Sequence, residues 1–271
     1  VTLTDAPTVA QLVSINAATT GAITLSTADG ALSGSAANLV LAFAGTVTEH
    51  TGTVTITDAP TLAQLVTINA ETTGAITLND ASANYSGSAA NLVLAFAGTV
   101  TTHTGTVTVT DALSVTNANT INAATSGVIT ASITDDATDL ATLTGTGNNY
   151  TITFGNTDAA SLAELVTINA ATTGALTLNA LTVAANLSGS SANLTSAFAG
   201  TVTTHTGTVT LTDAPTVAQL VSINAASTGA ITLNVTNGAL SGSAANLVLA
   251  FAGTVTEHTG TVTITDAPTV A

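Results

Sequence analysis

The chain has 271 residues with no Lys, Arg, Cys, Met or Trp, and its 15 acidic side chains set a formal charge of −15. A surface without cations excludes ordinary binding to nucleic-acid phosphates and to anionic membranes. Apolar residues make up 45%, too many for a disordered chain, and no run of about 18 apolar residues lacks Thr, Asn or Gly, which argues against a membrane-spanning helix.

The elements recur. The Asp that closes a Thr-rich strand falls at Asp5, Asp58, Asp111, Asp158, Asp213 and Asp266, with spacings of 53, 53, 47, 55 and 53 residues. About five repeats of about 53 residues therefore fill positions 1–271 as a single array, with 112–157 the divergent one. The opening Val1–Ala10 and the closing segment 262–271 differ only at Leu3 and Ile264. Such a chain is expected to be a window of a longer array or a protomer of a head-to-tail polymer.

Each repeat reads as two halves of helix, Thr-Gly turn and strand. In the short half, Asp58 is the expected N-cap and Pro60 belongs to the first helical turn. Leu62, Leu65 and Val66 have the spacing of one helix face, and the helix runs on through Ile68-Asn69-Ala70. Ser35 and Ser88 are the expected caps of the longer half's helix, which carries Leu-Val-Leu-Ala-Phe-Ala at 39–44, 92–97 and 247–252. Gly52, Gly74, Gly105, Gly127, Gly174, Gly207, Gly229 and Gly260 are placed as left-handed helix ends. In the strands that follow, Val54 and Ile56 face one way while the threonines face the other. Strands are also expected near 128–134 and 150–154. Strand, helix and strand in one direction make an α/β solenoid: a right-handed parallel sheet of about eleven strands, with short helices on the return side as in leucine-rich repeats. The alternative is a flatter right-handed β-solenoid in which these helices are partly strand and loop.

Four sets of residues could carry chemistry. An outward Thr file runs through Thr2, Thr24, Thr55, Thr77, Thr108, Thr130, Thr153, Thr177, Thr210, Thr232 and Thr263. Flat Thr arrays on parallel strands can order water as ice-binding faces do, although Thr is also simply the polar residue best suited to strands. Asn16, Asn69, Asn122, Asn169 and Asn224, with a second file at Asn38, Asn91, Asn193 and Asn246, read as ladders that satisfy neighbouring backbones. His50, His103, His205 and His258 share one position before Thr-Gly and are expected on surface turns, too far apart in sequence phase to share an ion. Glu49 and Glu257 precede only two of them, so no fixed Glu–His dyad repeats.

Calcium needs six to eight oxygens. Asp58 with Asp80, or Asp111 with Asp135 and Asp136, could supply some from one edge, although neither an EF-hand loop nor a Gly-Gly-x-Gly-x-Asp repeat occurs. No nucleophile motif or phosphate loop is present, so no catalytic residue, no cofactor other than calcium and no enzymatic activity are expected. Lack of Lys and Arg leaves trypsin-like proteases no cleavage site, and with that composition the expected setting is extracellular or the cell surface.

The run 110–131, Thr-Asp-Ala-Leu-Ser-Val-Thr-Asn-Ala-Asn-Thr-Ile-Asn-Ala-Ala-Thr-Ser-Gly-Val-Ile-Thr-Ala, and the recurrent Ile-Asn-Ala-x-Thr-Thr-Gly resemble Thr/Ala/Asp-rich repeat regions of giant secreted or cell-surface proteins of cyanobacteria and other aquatic bacteria. The resemblance implies export and a role in a fibre, filament, surface layer or adhesin stalk, with calcium as an accessory. It brings no catalytic residue with it. The expected partner is the protein itself, end to end.

Overall fold

The computed structural model describes residues 1–267. They alternate short parallel strands with short helices, an α/β fold, in two compact units, Val1–Ala131 and Ser132–Ala271. The first unit contains β1 (Thr2–Leu3), α1 (Val9–Ala18), β2 (Thr24–Leu25), β3 (Leu32–Gly34), α2 (Ala36–Ala42), β4 (Val54–Ile56) and α3 (Leu62–Ala70). It continues with β5 (Ile76–Leu78), β6 (Tyr85–Gly87), α4 (Ala89–Ala95), β7 (Val107–Ala112) and α5 (Val115–Ala124). The division falls inside β8 (Ile129–Asp135). The second unit holds α6 (Ala137–Leu140), β9 (Asn149–Phe154), α7 (Leu162–Ala171), β10 (Leu176–Thr177), α8 (Ala180–Ala184), β11 (Leu187–Gly189) and α9 (Ser191–Ala197). Beyond these lie β12 (Val209–Leu211), α10 (Val217–Ala226), β13 (Ile231–Leu233), β14 (Leu240–Gly242), α11 (Ala244–Ala250) and β15 (Val262–Ile264).

Pairing is parallel, and partners sit 22 residues apart at Leu32 opposite Val54, Val54 opposite Ile76, Leu187 opposite Val209, and Val209 opposite Ile231, and 24 apart at Ile152 opposite Leu176. The expectation of one sheet of about eleven strands is corrected. Among the described residues there are fifteen strands in five sheets. The sequence reading missed four strands, the Leu/Tyr-Ser-Gly triplets at β3, β6, β11 and β14, because three residues ending in Gly carry no alternation to detect. The sheets are interrupted where a ladder narrows to a single bridge, as at Ile76 and Val100. Strands of the divergent region lie where expected, at β8 and β9.

The strands bury alternate residues. Val54, Ile56, Val209 and Leu211 are fully buried, while none of the eleven Thr of the outward file is. The helices answer with Leu65 and Ile68 of α3, and Leu220 and Ile223 of α10. At 4 to 10 residues they are too short to persist alone, so this packing and their end caps sustain them.

The caps differ from expectation. Asp58 does not cap its own helix. Thr61 is the N-cap of α3, forming a capping box with Gln64, and Thr8, Ser161 and Thr216 do the same with Gln11, Glu164 and Gln219. Thr-x-x-Gln is a capping signature that outcompetes an Asp three residues upstream, and it leaves Pro60 buried just before the helix. Ser35 and Ser88 do cap α2 and α4. The left-handed glycines are also elsewhere. Gly45, Gly98, Gly200 and Gly253, each closing a Phe-Ala-Gly, have φ of 68–75°, and Gly145 and Gly147 of the divergent repeat have φ of 81° and 78°, while none of the eight glycines expected as helix ends adopts positive φ.

Candidate functional site

Many of the residues singled out for chemistry lie where one strand–helix step meets the next, at helix starts, helix ends and bridge positions. Asp58 Oδ1 accepts a hydrogen bond from the Ala36 N–H, the first residue of α2, at 2.7 Å. Asp111, Asp213 and Asp266 do the same for the first residues of α4, α9 and α11, each at 2.7 Å. A carboxylate at a helix N-terminus satisfies an orphan donor and meets the positive end of the helix dipole. These aspartates cap the helix of the preceding step, reaching across 22 residues. Asp58→Ala is expected to cost about 1 kcal/mol, and Asp58→Asn less because its amide oxygen still accepts. Urea unfolding of both, with Asp80→Ala as a near-neutral control, checks the assignment.

At the opposite helix ends the Asn file does matching work. Asn69 Nδ2 donates to the carbonyls of Leu94, Ala95 and Ala97 at 2.8, 3.1 and 2.9 Å, sharing two protons among three acceptors at the C-terminus of α4. Asn16, Asn169 and Asn224 repeat this on α2, α9 and α11. The backbone-ladder reading therefore holds for these members, although they are half-buried rather than buried. The second file, Asn38, Asn91, Asn193 and Asn246, is exposed, and its backbone N–H groups complete the Ser caps.

The histidines are not on surface turns. His50, His103 and His205 are 2%, 0% and 0% exposed, and only His258 is half-open. His50 bridges to Thr72 and His103 to Thr125 in parallel register. His103 Nε2 faces the Ala83 carbonyl at 2.6 Å, and its Nδ1 faces Thr125 Oγ1 at 3.1 Å. A nitrogen facing a carbonyl must carry the proton, so the ring is the Nε2–H tautomer with Nδ1 as acceptor. The ring stacks on Tyr85 with centroids 4.7 Å apart and lies 5.4 Å from Phe96. His50, His205 and His258 have Phe43, Phe198 and Phe251 at 5.5–5.9 Å. In the divergent repeat Asn148 takes the histidine's bridge position, opposite Thr172.

Burial pushes the pKa of His103 and of His205 down; the carbonyls of Ala83 and Ala185 pull the other way more weakly. Both ring nitrogens of His205 are buried without a partner in hydrogen-bond geometry. Burial likewise raises Tyr85 and Tyr150 to about 12. Sequence spacing placed the histidines in phase. What it missed was the Phe seven residues upstream of each, the one available sign that an apolar ring partner accompanies every imidazole.

The calcium candidates are not assembled. Asp58 and Asp111 are engaged as caps. Asp80 Oδ1 accepts from the Ser82 N–H and hydroxyl at 3.0 and 2.7 Å, which holds its carboxyl below the usual range. Asp135 accepts from the Asp136 N–H, and Asp136 sits at the N-cap of α6. Among the described residues no three or more His, Asp or Glu are grouped so that they could hold a metal ion. No described helix is long and apolar enough to cross a membrane. Comparison with protein families, with curated proteins and with solved structures finds no match to this chain.

Proposed function

We propose that the chain is a structural, non-enzymatic repeat protein of the cell exterior, a right-handed solenoid that serves in a fibre, filament, surface layer or adhesin stalk and assembles end to end. The observation that carries this reading is the use made of the polar side chains. Asp58, Asp111, Asp213 and Asp266, Asn16, Asn69, Asn169 and Asn224, and His50, His103 and His258 all bond backbone groups 20 to 30 residues away, the distance from one step to the next. Such a chain is stabilised by nearest-neighbour contacts and extends by repetition. Resemblance to surface-protein repeats and the absence of Lys and Arg support export. The same absence supports a protein that binds no nucleic acid.

Negative-stain electron microscopy of the purified chain tests this. Strings or ribbons that lengthen with concentration are expected, whereas monodisperse particles at every concentration count against it.

The Thr file favours a second reading, adsorption to ice or a mineral surface. Thr2 pairs with Thr24, Thr55 with Thr77 and Thr210 with Thr232 in register, presenting hydroxyls at the spacing of parallel strands, about 4.8 Å. Lack of thermal hysteresis and of ice-crystal shaping by the purified chain would dispose of the ice version.

A further inference from the structure

Asx-Gly pairs occur at Asp29-Gly30 and Asn237-Gly238, and both fall at the place whose carbonyl receives the next histidine. The Gly30 carbonyl accepts from His50 Nε2 at 2.7 Å, and the Gly238 carbonyl accepts from His258 Nε2 at 2.6 Å. The counterparts in the other steps are Ser82-Ala83, which serves His103, and Ala184-Ala185, beside His205. The first residue of the pair is exposed at all four places, Ser82 and Ala184 included. Exposure therefore belongs to the position in the step.

An Asx side chain followed by glycine is a reactive pair. The glycine nitrogen closes a succinimide ring on the side-chain Cγ, because no Cβ on the glycine obstructs the approach. Ring closure needs a main-chain N–H and an Asx side chain that are not held elsewhere, in backbone free to turn. Both pairs lie in loops, between β2 and β3 and between β13 and β14. Among the described residues, the Asp29 carboxylate, the Asn237 amide and the Gly30 and Gly238 N–H groups make no hydrogen bond.

We propose that Asp29 and Asn237 are sites of spontaneous conversion to isoaspartate, and that each conversion withdraws the carbonyl that holds His50 or His258. At Asn237 the Gly238 nitrogen bonds to Cγ and the Cγ–Nδ2 bond breaks. The side-chain nitrogen leaves as ammonia, taking the glycine's proton. Water then opens the ring: attack at Cγ gives aspartate, and attack at the main-chain carbonyl carbon gives isoaspartate. At Asp29 the protonated carboxyl loses water on closure and the ring regains it on opening, so no atom is gained or lost. Neither route involves an oxidant or reductant. Asn237 converts faster, since an ionised carboxylate is the poorer electrophile.

Isoaspartate carries the main chain through the former side chain and leaves the old main-chain carbonyl as a free carboxylate. That group falls where the next step approaches most closely. A Cβ on Gly52 would collide with the Asp29 carbonyl, and one on Gly260 with the Asn237 carbonyl. The glycine carbonyl shifts with the lengthened chain, and the ring of His50, which is 2% exposed, keeps a buried N–H without its acceptor.

Ageing the purified 271-residue chain at mildly alkaline pH tests this. Isoaspartate is read by enzymatic methylation with a labelled methyl donor, its position by mass spectrometry, and the imidazoles by NMR. Isoaspartate is expected first at Asn237, with release of ammonia, and later at Asp29. The ring signals of His258 and then His50 shift, while those of His103 and His205 stay. Asn237→Ser and Asp29→Ser, which install the residue found at Ser82, lose the conversion and keep the spectrum of the fresh chain. If Asn237 converts in the urea-unfolded chain and not in the folded one, the fold protects the amide and the site is overturned. If isoaspartate accumulates and the ring signals of His258 and His50 do not move, the link to the histidines is overturned.

Discussion

Gly74→Ala is expected to destabilise the first compact unit by on the order of 3 kcal/mol, at the upper end of what overpacking costs. A Cβ placed on Gly74 would collide with the backbone carbonyl of Gly52, one step earlier, and the same collision recurs between Gly127 and Gly105 and between Gly229 and Gly207. Backbone cannot swing aside as a flexible side chain can, so the two steps must part or the turn must refold. The contrast is Gly98, whose φ is +68° and whose missing Cβ would meet nothing within 4 Å. Gly98→Ala carries only the cost of the left-handed conformation, about 1–2 kcal/mol, and Gly98→Asn less, because Asn tolerates that region. Thermal unfolding of the three variants separates close approach from backbone conformation. A Gly74→Ala melt no lower than that of Gly98→Ala would refute the stacked-glycine account.

Acid is expected to weaken the fold well above the range in which carboxylates titrate. His103 and His205 have pKa values below the ordinary 6.5 because burial penalises the charged ring. Between the lowered value and 6.5 the unfolded chain therefore binds more protons than the folded one. Their contribution to stability is fully present above about pH 6.5 and drains away as pH falls below it, until the folded-state value is passed. The urea midpoint should accordingly drop between about pH 7.5 and about pH 5.5, before Asp and Glu titrate near 4. His103→Gln keeps a donor for the Ala83 carbonyl but has no proton to gain, so its midpoint should fall less over the same interval. An unchanged slope in that variant would assign the acid sensitivity to other groups. For His205 the cost of charging is compounded by ring nitrogens that have no partner.

Much of this architecture is written in local patterns. A period of about 53 residues, Thr alternating with Val or Ile, Ser before a helix and strands near 128–134 and 150–154 could all be read directly. Each depends on neighbours within a few positions, through pleat, propensity or a cap three residues away. Even the Asn ladder was legible, because a polar residue recurring at one place in an apolar helix must find a partner nearby.

Assignments made across steps were not legible. Asp58 looks like the cap of its own helix and is the cap of α2, a decision made by strand register over 22 residues. Gly74 looks like a helix end, yet its lack of a side chain answers to Gly52, also 22 residues away. The histidines look like turn residues because Thr-Gly follows them, and only the packing of a Phe-bearing helix end over the bridge position buries them. Local sequence settles which way a residue's backbone runs and which face its side chain takes. It does not settle which carbonyl, ring or donor waits on the neighbouring step, because that depends on which segment strand register brings alongside, 22 residues away.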